Sequence, residues 1–229
     1  MISVIIPTLN AEDCLAACLA ALVGGVVDGV LREVIIVDGG SIDRTRKIAD
    51  AAGARIVEAA SGRGQQLAAG ARVAKCDWLL FLHADTVLDP GWQQEVASFL
   101  ERAQTGGRQR SAAAFRFALD DFGFRPRLLE KLVSIRSSVL RLPYGDQGLL
   151  INRKLYSSIG GYRELPLMED IDLVRRVPRR QMTIMRTAAV TSAVRFRRDG
   201  YALRSSRNLL CLVLYYLRVP SHLIARLYD

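Results

Sequence analysis

Four apolar runs, Ser3–Ile6, Glu33–Val37, Ala54–Glu58 and Trp78–Leu82, alternate with Ala- and Leu-rich stretches of helical period near residues 11–23, 43–52 and 64–74. Short apolar runs without helical period behave as buried strands. Their alternation with helices implies right-handed crossovers into a parallel sheet covered on both faces. Beyond residue 90 the pattern loosens. It predicts a helix over 91–102, a polar loop over Gln104–Arg110 and a strand over Ala112–Leu119. Helices follow over 125–141, 152–159, 169–180 and 203–218, with short strands at Thr183–Met185 and Ala188–Val194. No Pro-, Gly- or Ser-rich linker divides the chain, so a single α/β domain over 1–229 is expected, with a helical C-terminal segment.

Charge separates the two halves. Residues 1–100 carry 8 Lys+Arg against 12 Asp+Glu, and residues 101–229 carry 24 against 11. A basic half predicts an anionic partner: a diphosphate, an acidic lipid surface or nucleic acid. Aromatic residues at 7% without a stacking pattern argue against nucleic acid. Cys14, Cys18, Cys76 and Cys211 form no CxxC pair, and His83 and His222 are the only histidines, so the cysteines are expected as small buried hydrophobes in a reducing cytoplasm. The chain enters its first strand without a basic leader, and no apolar stretch reaches the roughly 20 residues of a membrane span. A soluble or peripheral protein is expected.

Chemistry-bearing residues gather where strands end. WLLFLHADT places Asp85 just past an apolar strand, at the edge where open α/β sheets bind ligands. A lone carboxylate there suits Mg²⁺ or Mn²⁺ shared with a substrate diphosphate, and it equally suits a turn cap. The first strand ends in IIPTLN, where Pro7 is expected to stop the ladder and Thr8 and Asn10 to offer polar groups. The second ends in VIIVDGGSIDRT, with Asp38 placed either to meet a ribose or nucleobase or to organise its own turn beside Gly40. Gly62-Arg63-Gly64 opens a helix and suits either close approach to an anion or a plain turn. In PYGDQG, Asp146 and Gln147 stand before an apolar run, which costs stability unless their polar groups are used. PLMEDID sets Glu169 and Asp170 at a helix start, where the dipole alone would favour acids, but the apolar PLM should turn that start inward and allow a general base. Arg195, Arg197 and Arg198 around Phe196 form either a solvated face or a cover for a diphosphate.

Taken in order, IIPTLN, IIVDGGSIDRT, FLHADT, PYGDQG with GGYRE, and PLMEDIDLVRR resemble the family-2 glycosyltransferases of GT-A fold, closest to a branch described as radical-SAM/selenodomain-associated transferases. The resemblance implies a nucleotide-binding half over 1–100 and an acceptor-side half over 101–229. It implies a UDP- or GDP-sugar donor, Mn²⁺ or Mg²⁺ held by Asp85 with His83 beside it, Thr8 and Asp38 against the nucleoside, and Asp170 as base of an inverting transfer with Glu169 next to it. Two positions depart from the family pattern: Gly39 replaces the second Asp of VDDGS, and His83 the first Asp of D-x-D. A neutral imidazole binds Mn²⁺ but adds no negative charge.

Other classes compete. A sugar-phosphate nucleotidyltransferase would share the sheet but carries a G-x-G-T-R-L type loop that IIPTLN lacks, and neither GxGxxG nor GxxxxGK[ST] is present. A non-catalytic membrane-binding module would use the basic half. Segment 203–218, with Arg204, Arg207 and Arg218 around an apolar centre, is expected to pack on the domain or on a second subunit, contact with an acidic membrane being the alternative.

Overall fold

The computed structural model describes residues 1–107 and 110–228, so Arg108 and Gln109 of the expected 104–110 loop lie outside the described residues. Strands β1 (Ile2–Thr8), β2 (Leu31–Asp38), β3 (Arg55–Glu58) and β4 (Trp78–Phe81) pair in parallel in the order β3-β2-β1-β4. Helices α1 (Leu15–Val27), α2 (Thr45–Ala51) and α3 (Arg63–Val73) connect them. Residue alternation divides the core. Val4, Ile6 and Leu80 bury on one face with α1 and α4 (Trp92–Thr105), and Ile5, Leu79 and Phe81 bury on the other with α3.

The remaining strands extend the same sheet as β4-β7-β6-β8-β5. They are β5 (Thr86–Leu88), β6 (Ala112–Leu119), β7 (Leu149–Asn152) and β8 (Met182–Thr191). Strand β7 runs antiparallel to both β4 and β6, β8 runs parallel to β6, and β5 closes the edge antiparallel to β8. The sheet is thus mostly parallel, as expected.

Several expectations need correction. Pro7 does not stop the ladder but pairs with Val37 inside β1. Thr8 O accepts from Gly39 N, so Pro7 faces the opposite side of β1, where β4 has already ended with the Ile5–Phe81 pair and no N–H is required. The two short strands expected over 183–194 are one strand, β8, and Val194 instead opens helix α8 (Val194–Asp199). Strands β5 and β7 were not expected, because β5 has only three residues and β7 runs directly into a helix at Arg153 without a turn. After α5 (Phe124–Leu140) and α6 (Arg153–Ser158), helix α7 (Glu169–Arg176) stops four residues short of 180 because Pro178 disfavours helix in the residue before it. The helix expected over 203–218 is present as α9 (Tyr201–Tyr216), but the further helix α10 (Ser221–Tyr228), which follows a left-handed Arg218 and Pro220, was not expected. All four cysteines are unpaired, with Cys18, Cys76 and Cys211 buried and Cys14 half-buried.

Candidate active site

Strand β7 assembles the site. Its antiparallel register sets Leu149 opposite Phe81, so the chain enters β7 at the edge where it leaves β4. The 83–86 turn, closed by Thr86 N donating to His83 O (3.2 Å), therefore meets the 3₁₀ turn Gly145–Gln147. A Cβ on Gly145 would lie 2.7 Å from His83 Nε2 and 3.2 Å from Asp170 Oδ2, so only glycine admits both neighbours. Gly145 N donates to Asp170 Oδ2 (2.6 Å) and Ile171 N to Asp170 Oδ1 (2.7 Å), which fixes the carboxylate at the start of α7. Residues far apart in sequence, His83, Gly145 and Asp170, thus line one small cavity of about 10 Å³ floored by Leu67, Phe81 and Tyr162.

Charge in this cleft is poorly satisfied. Asp146 Oδ1 is buried without a hydrogen bond, and burial pushes the carboxyl up to about 6. Arg136 and Arg63 oppose that rise, and the Asp170 and Asp85 charges add to it. Thr191 Oγ1 donates to Asp146 O (3.1 Å) and lies 3.3 Å from Thr86 Oγ1, tying the turn to β8 and β5. His83 is held well below its ordinary pKa, first by burial and then by the Arg63 and Arg195 cations, so its imidazole is neutral. Glu169 is 1% exposed, and its Oε1 makes no hydrogen bond while facing Arg63 Nη1 at 3.6 Å. Burial and the Asp170 charge push Glu169 up to about 7 against the pull of Arg63. Asp170, more open than Glu169, is the member of the pair that borders the cavity.

Other expected site residues are used by the protein itself. Asp38, 1% exposed, accepts from Thr8 Oγ1 (3.2 Å), Gly40 N (3.2 Å), Ser41 N (3.0 Å) and Ser41 Oγ (2.5 Å), which engages about all the lone pairs a carboxylate offers. Asn10 clasps the same loop, its N donating to Ser41 Oγ (2.9 Å) and its Oδ1 accepting from Ile42 N (3.0 Å). Gln147 is turned inward: Oε1 accepts from Ser137 Oγ (2.9 Å) and Tyr144 N (3.2 Å), and Nε2 donates to Phe115 O (2.9 Å). Gly64 lets α3 meet backbone, since a Cβ there would lie 2.3 Å from Arg163 O. The arginine cluster on α8 splits. Arg197 donates to Asp120 O (3.1 Å) and faces Asp121, Arg198 pairs with Asp199 (2.7 Å), and Arg195 is the one whose charge His83 senses.

Sequence reasoning missed Gln66 and Arg136. Gln66 Nε2 donates to Thr8 O (2.8 Å) and Val37 O (2.7 Å), bridging the ends of β1 and β2. A Cβ at Gly39 would lie 3.1 Å from that amide nitrogen, so Gly39, in place of the usual Asp, leaves room for Gln66. Arg136 lies over the Tyr144 ring at 3.3 Å and connects α5 to the 144–147 turn. Nothing in the local spacing marks either residue.

Residues 3–146, more than half of the chain, match the model of glycosyl transferase family 2. The chain belongs to this family. A search of curated protein sequences found no match. Among solved structures, residues 1–349 of Staphylococcus aureus TarS superpose with a TM-score of 0.67 at 14% identity, covering 92% of this chain and 64% of that one. The chain thus spans less than two thirds of the TarS fragment. Mycobacterium tuberculosis glucosyl-3-phosphoglycerate synthase with phosphoglyceric acid gives 0.61 at 22% identity, covering 96% of this chain and 81% of that one. The same synthase with Mn²⁺, UDP-glucose and phosphoglyceric acid gives 0.60 at 19%, covering 96% and 80%. These likenesses establish the GT-A fold.

Among the described residues, no three of His, Cys, Asp and Glu come together tightly enough to hold a metal unaided. The donors present nevertheless fit a hard divalent ion that a diphosphate and water complete: a carboxylate at Asp85, the orphaned buried oxygen of Asp146 and a neutral imidazole at His83.

Proposed function

We propose that the chain is an inverting, divalent-metal-dependent transferase that moves a sugar from a nucleoside diphosphate, UDP or GDP, to an acceptor hydroxyl. The observation that carries this reading is the convergence of His83, Gly145 and Asp170, with unsatisfied Asp146 on the same turn, at the carboxyl edge of β4. Family membership supports sugar transfer, and the synthase complex with Mn²⁺ and UDP-glucose supports the donor and metal classes. The ordered motifs of the first half and the PLMED helix start favour the radical-SAM-associated branch.

Asp85 and His83 would hold Mn²⁺ or Mg²⁺, with Asp146 Oδ1 a further oxygen. The bound ion would neutralise charge developing on the departing nucleoside diphosphate. Arg63 and Arg195, whose charges reach His83, add to that field from the protein side. Asp170, positioned by two backbone N–H groups, takes the proton of the acceptor hydroxyl. The acceptor oxygen then bonds to the anomeric carbon from the opposite face as the bond from that carbon to the diphosphate oxygen breaks. The nucleoside would lie along the ends of β1 and β2 by Pro7 and Thr8, where contact with Asp38 requires one of its loop bonds to be given up.

Asp170→Asn separates chemistry from binding. Release of nucleoside diphosphate from UDP- or GDP-sugar should fall by roughly 10²–10⁴. The thermal shift given by donor with Mn²⁺, about 2.7 kcal/mol at ~100 times its dissociation constant, should persist. Near-wild-type turnover would remove Asp170 from the mechanism, and no Mn²⁺-dependent donor shift in the parent protein would overturn the assignment.

A further inference from the structure

Helices α5 and α9 carry apolar residues on their outer sides as well as against the core, where Leu129 and Val133 of α5 and Cys211, Leu212 and Leu214 of α9 pack. On α5, Phe124, Leu128, Leu132, Ile135 and Val139 recur at helical spacing and are exposed, Phe124 at 79% and Val139 at 68%, whereas Glu130 and Ser137 face inward. Glu130 accepts from Leu119 N (2.9 Å) and from Arg127. On α9, Leu203, Leu210 and Val213, continued by Leu217 just past its end, form an exposed row, whereas Arg204 and Cys211 are buried. Helix α10 repeats the arrangement with Leu223 and Leu227 outward and Ile224 inward.

A water-facing helix ordinarily buries such a stripe and exposes its charges. Here an outer stripe is left over after the inner side is packed, Leu129 and Val133 of α5 and Tyr201 of α9 meeting Phe117, Leu119 and Ala193. Exposed apolar surface of this extent requires a partner. Charge indicates which. Alongside the stripes α5 exposes Arg125, Arg127 and Lys131, and α10 exposes Arg226. The one acidic residue on the three helices, Glu130, is buried. A second copy meeting this face about a two-fold axis would set cations against cations. An anionic lipid surface accepts both the apolar stripe and the flanking cations. No helix among the described residues is long and apolar enough to cross a membrane, so contact would be in the interfacial plane.

We propose that the α5–α9–α10 face docks on an anionic lipid bilayer. Because Arg136 of α5 lies over Tyr144 and Ser137 holds Gln147, this docking face joins directly to the turn that carries Asp146.

Flotation of the full chain with phosphatidylglycerol-rich vesicles and with pure phosphatidylcholine vesicles tests the proposal. Binding is expected to the anionic vesicles, weakening as salt rises. Leu132→Asp with Leu210→Asp should lower partitioning by about tenfold or more. Arg125→Glu with Lys131→Glu should remove the preference for anionic lipid without touching the apolar stripe. All four side chains are exposed, so circular dichroism and Mn²⁺-dependent donor binding should be unchanged. Absence of binding at low salt, or binding by both variants as strong and as selective as that of the parent chain, would overturn the proposal. So would a concentration-dependent dimer, seen by light scattering, that Leu132→Asp dissociates while vesicles leave it untouched.

Discussion

Asp38 and Asp146 both stand at the carboxyl edge of one sheet, yet the protein treats them oppositely. Asp38 is closed off by four hydrogen bonds from its own loop and from Thr8, and Gln66 buttresses the strands beneath it. Asp146 keeps a buried oxygen without a partner and is pushed up to about 6 by burial. A satisfied buried carboxylate shapes a surface. An unsatisfied one costs stability and marks a position built for a ligand. The same contrast divides the edge into a preformed ledge over β1 and β2 and a charged cleft over β4, β7 and α7.

The largest effect that could break this comparison lies at Asp38. Asp38→Ala should lower stability by ~2–4 kcal/mol, read as a drop in urea midpoint, because it leaves Gly40 N and both Ser41 donors unmatched. A variant that keeps its midpoint but loses donor binding would move Asp38 from scaffold to ligand contact. A smaller effect, of opposite sign, is expected in the cleft. Glu169 holds its proton up to about pH 7, above the ordinary 4.5, so between those values the folded chain binds one more proton than the unfolded chain and stability falls as pH rises. Glu169→Gln should flatten that slope and gain on the order of 1–3 kcal/mol over wild type at pH 8. A slope that survives the substitution would place the titration elsewhere. The smallest effect is expected at Arg198, whose exposed side chain pairs with Asp199. Arg198→Ala should leave both Tm and donor affinity unchanged, and weakened donor binding would return the whole cluster to the site.

Legibility of the fold followed burial. Strands β1, β2 and β4 were visible because strands covered on both faces become continuous apolar runs. Strand β5 was not, since its three residues hold too little pattern, and β7 was not, since its apolar run passes into α6 at Arg153 with no turn between them. Helix α10 was missed because its eight residues give only about two turns of helical pattern. The exposed apolar stripes of α5 and α9 could not be read at all. Periodicity reveals that a helix has an apolar side, but which side meets the protein depends on neighbours such as Phe117, Leu119 and Ala193.

For the site, sequence by itself determined chemistry and position along the chain: Asp85 after β4, Asp170 at a helix start, and glycines bracketing Asp146 and Gln147. Local bonding and spacing set those features, and both are written in neighbouring residues. Tertiary structure alone decided which groups are spent and which remain for a ligand. Gln147 and Asp146 are adjacent in sequence, yet one amide is consumed by Ser137, Tyr144 and Phe115 while the carboxylate beside it is left unmatched. That difference arises because β7 runs against β4, bringing residues 145–147 beside His83 and Asp170. Hydrogen-bond satisfaction is a property of three-dimensional neighbours, and strand order and direction choose them.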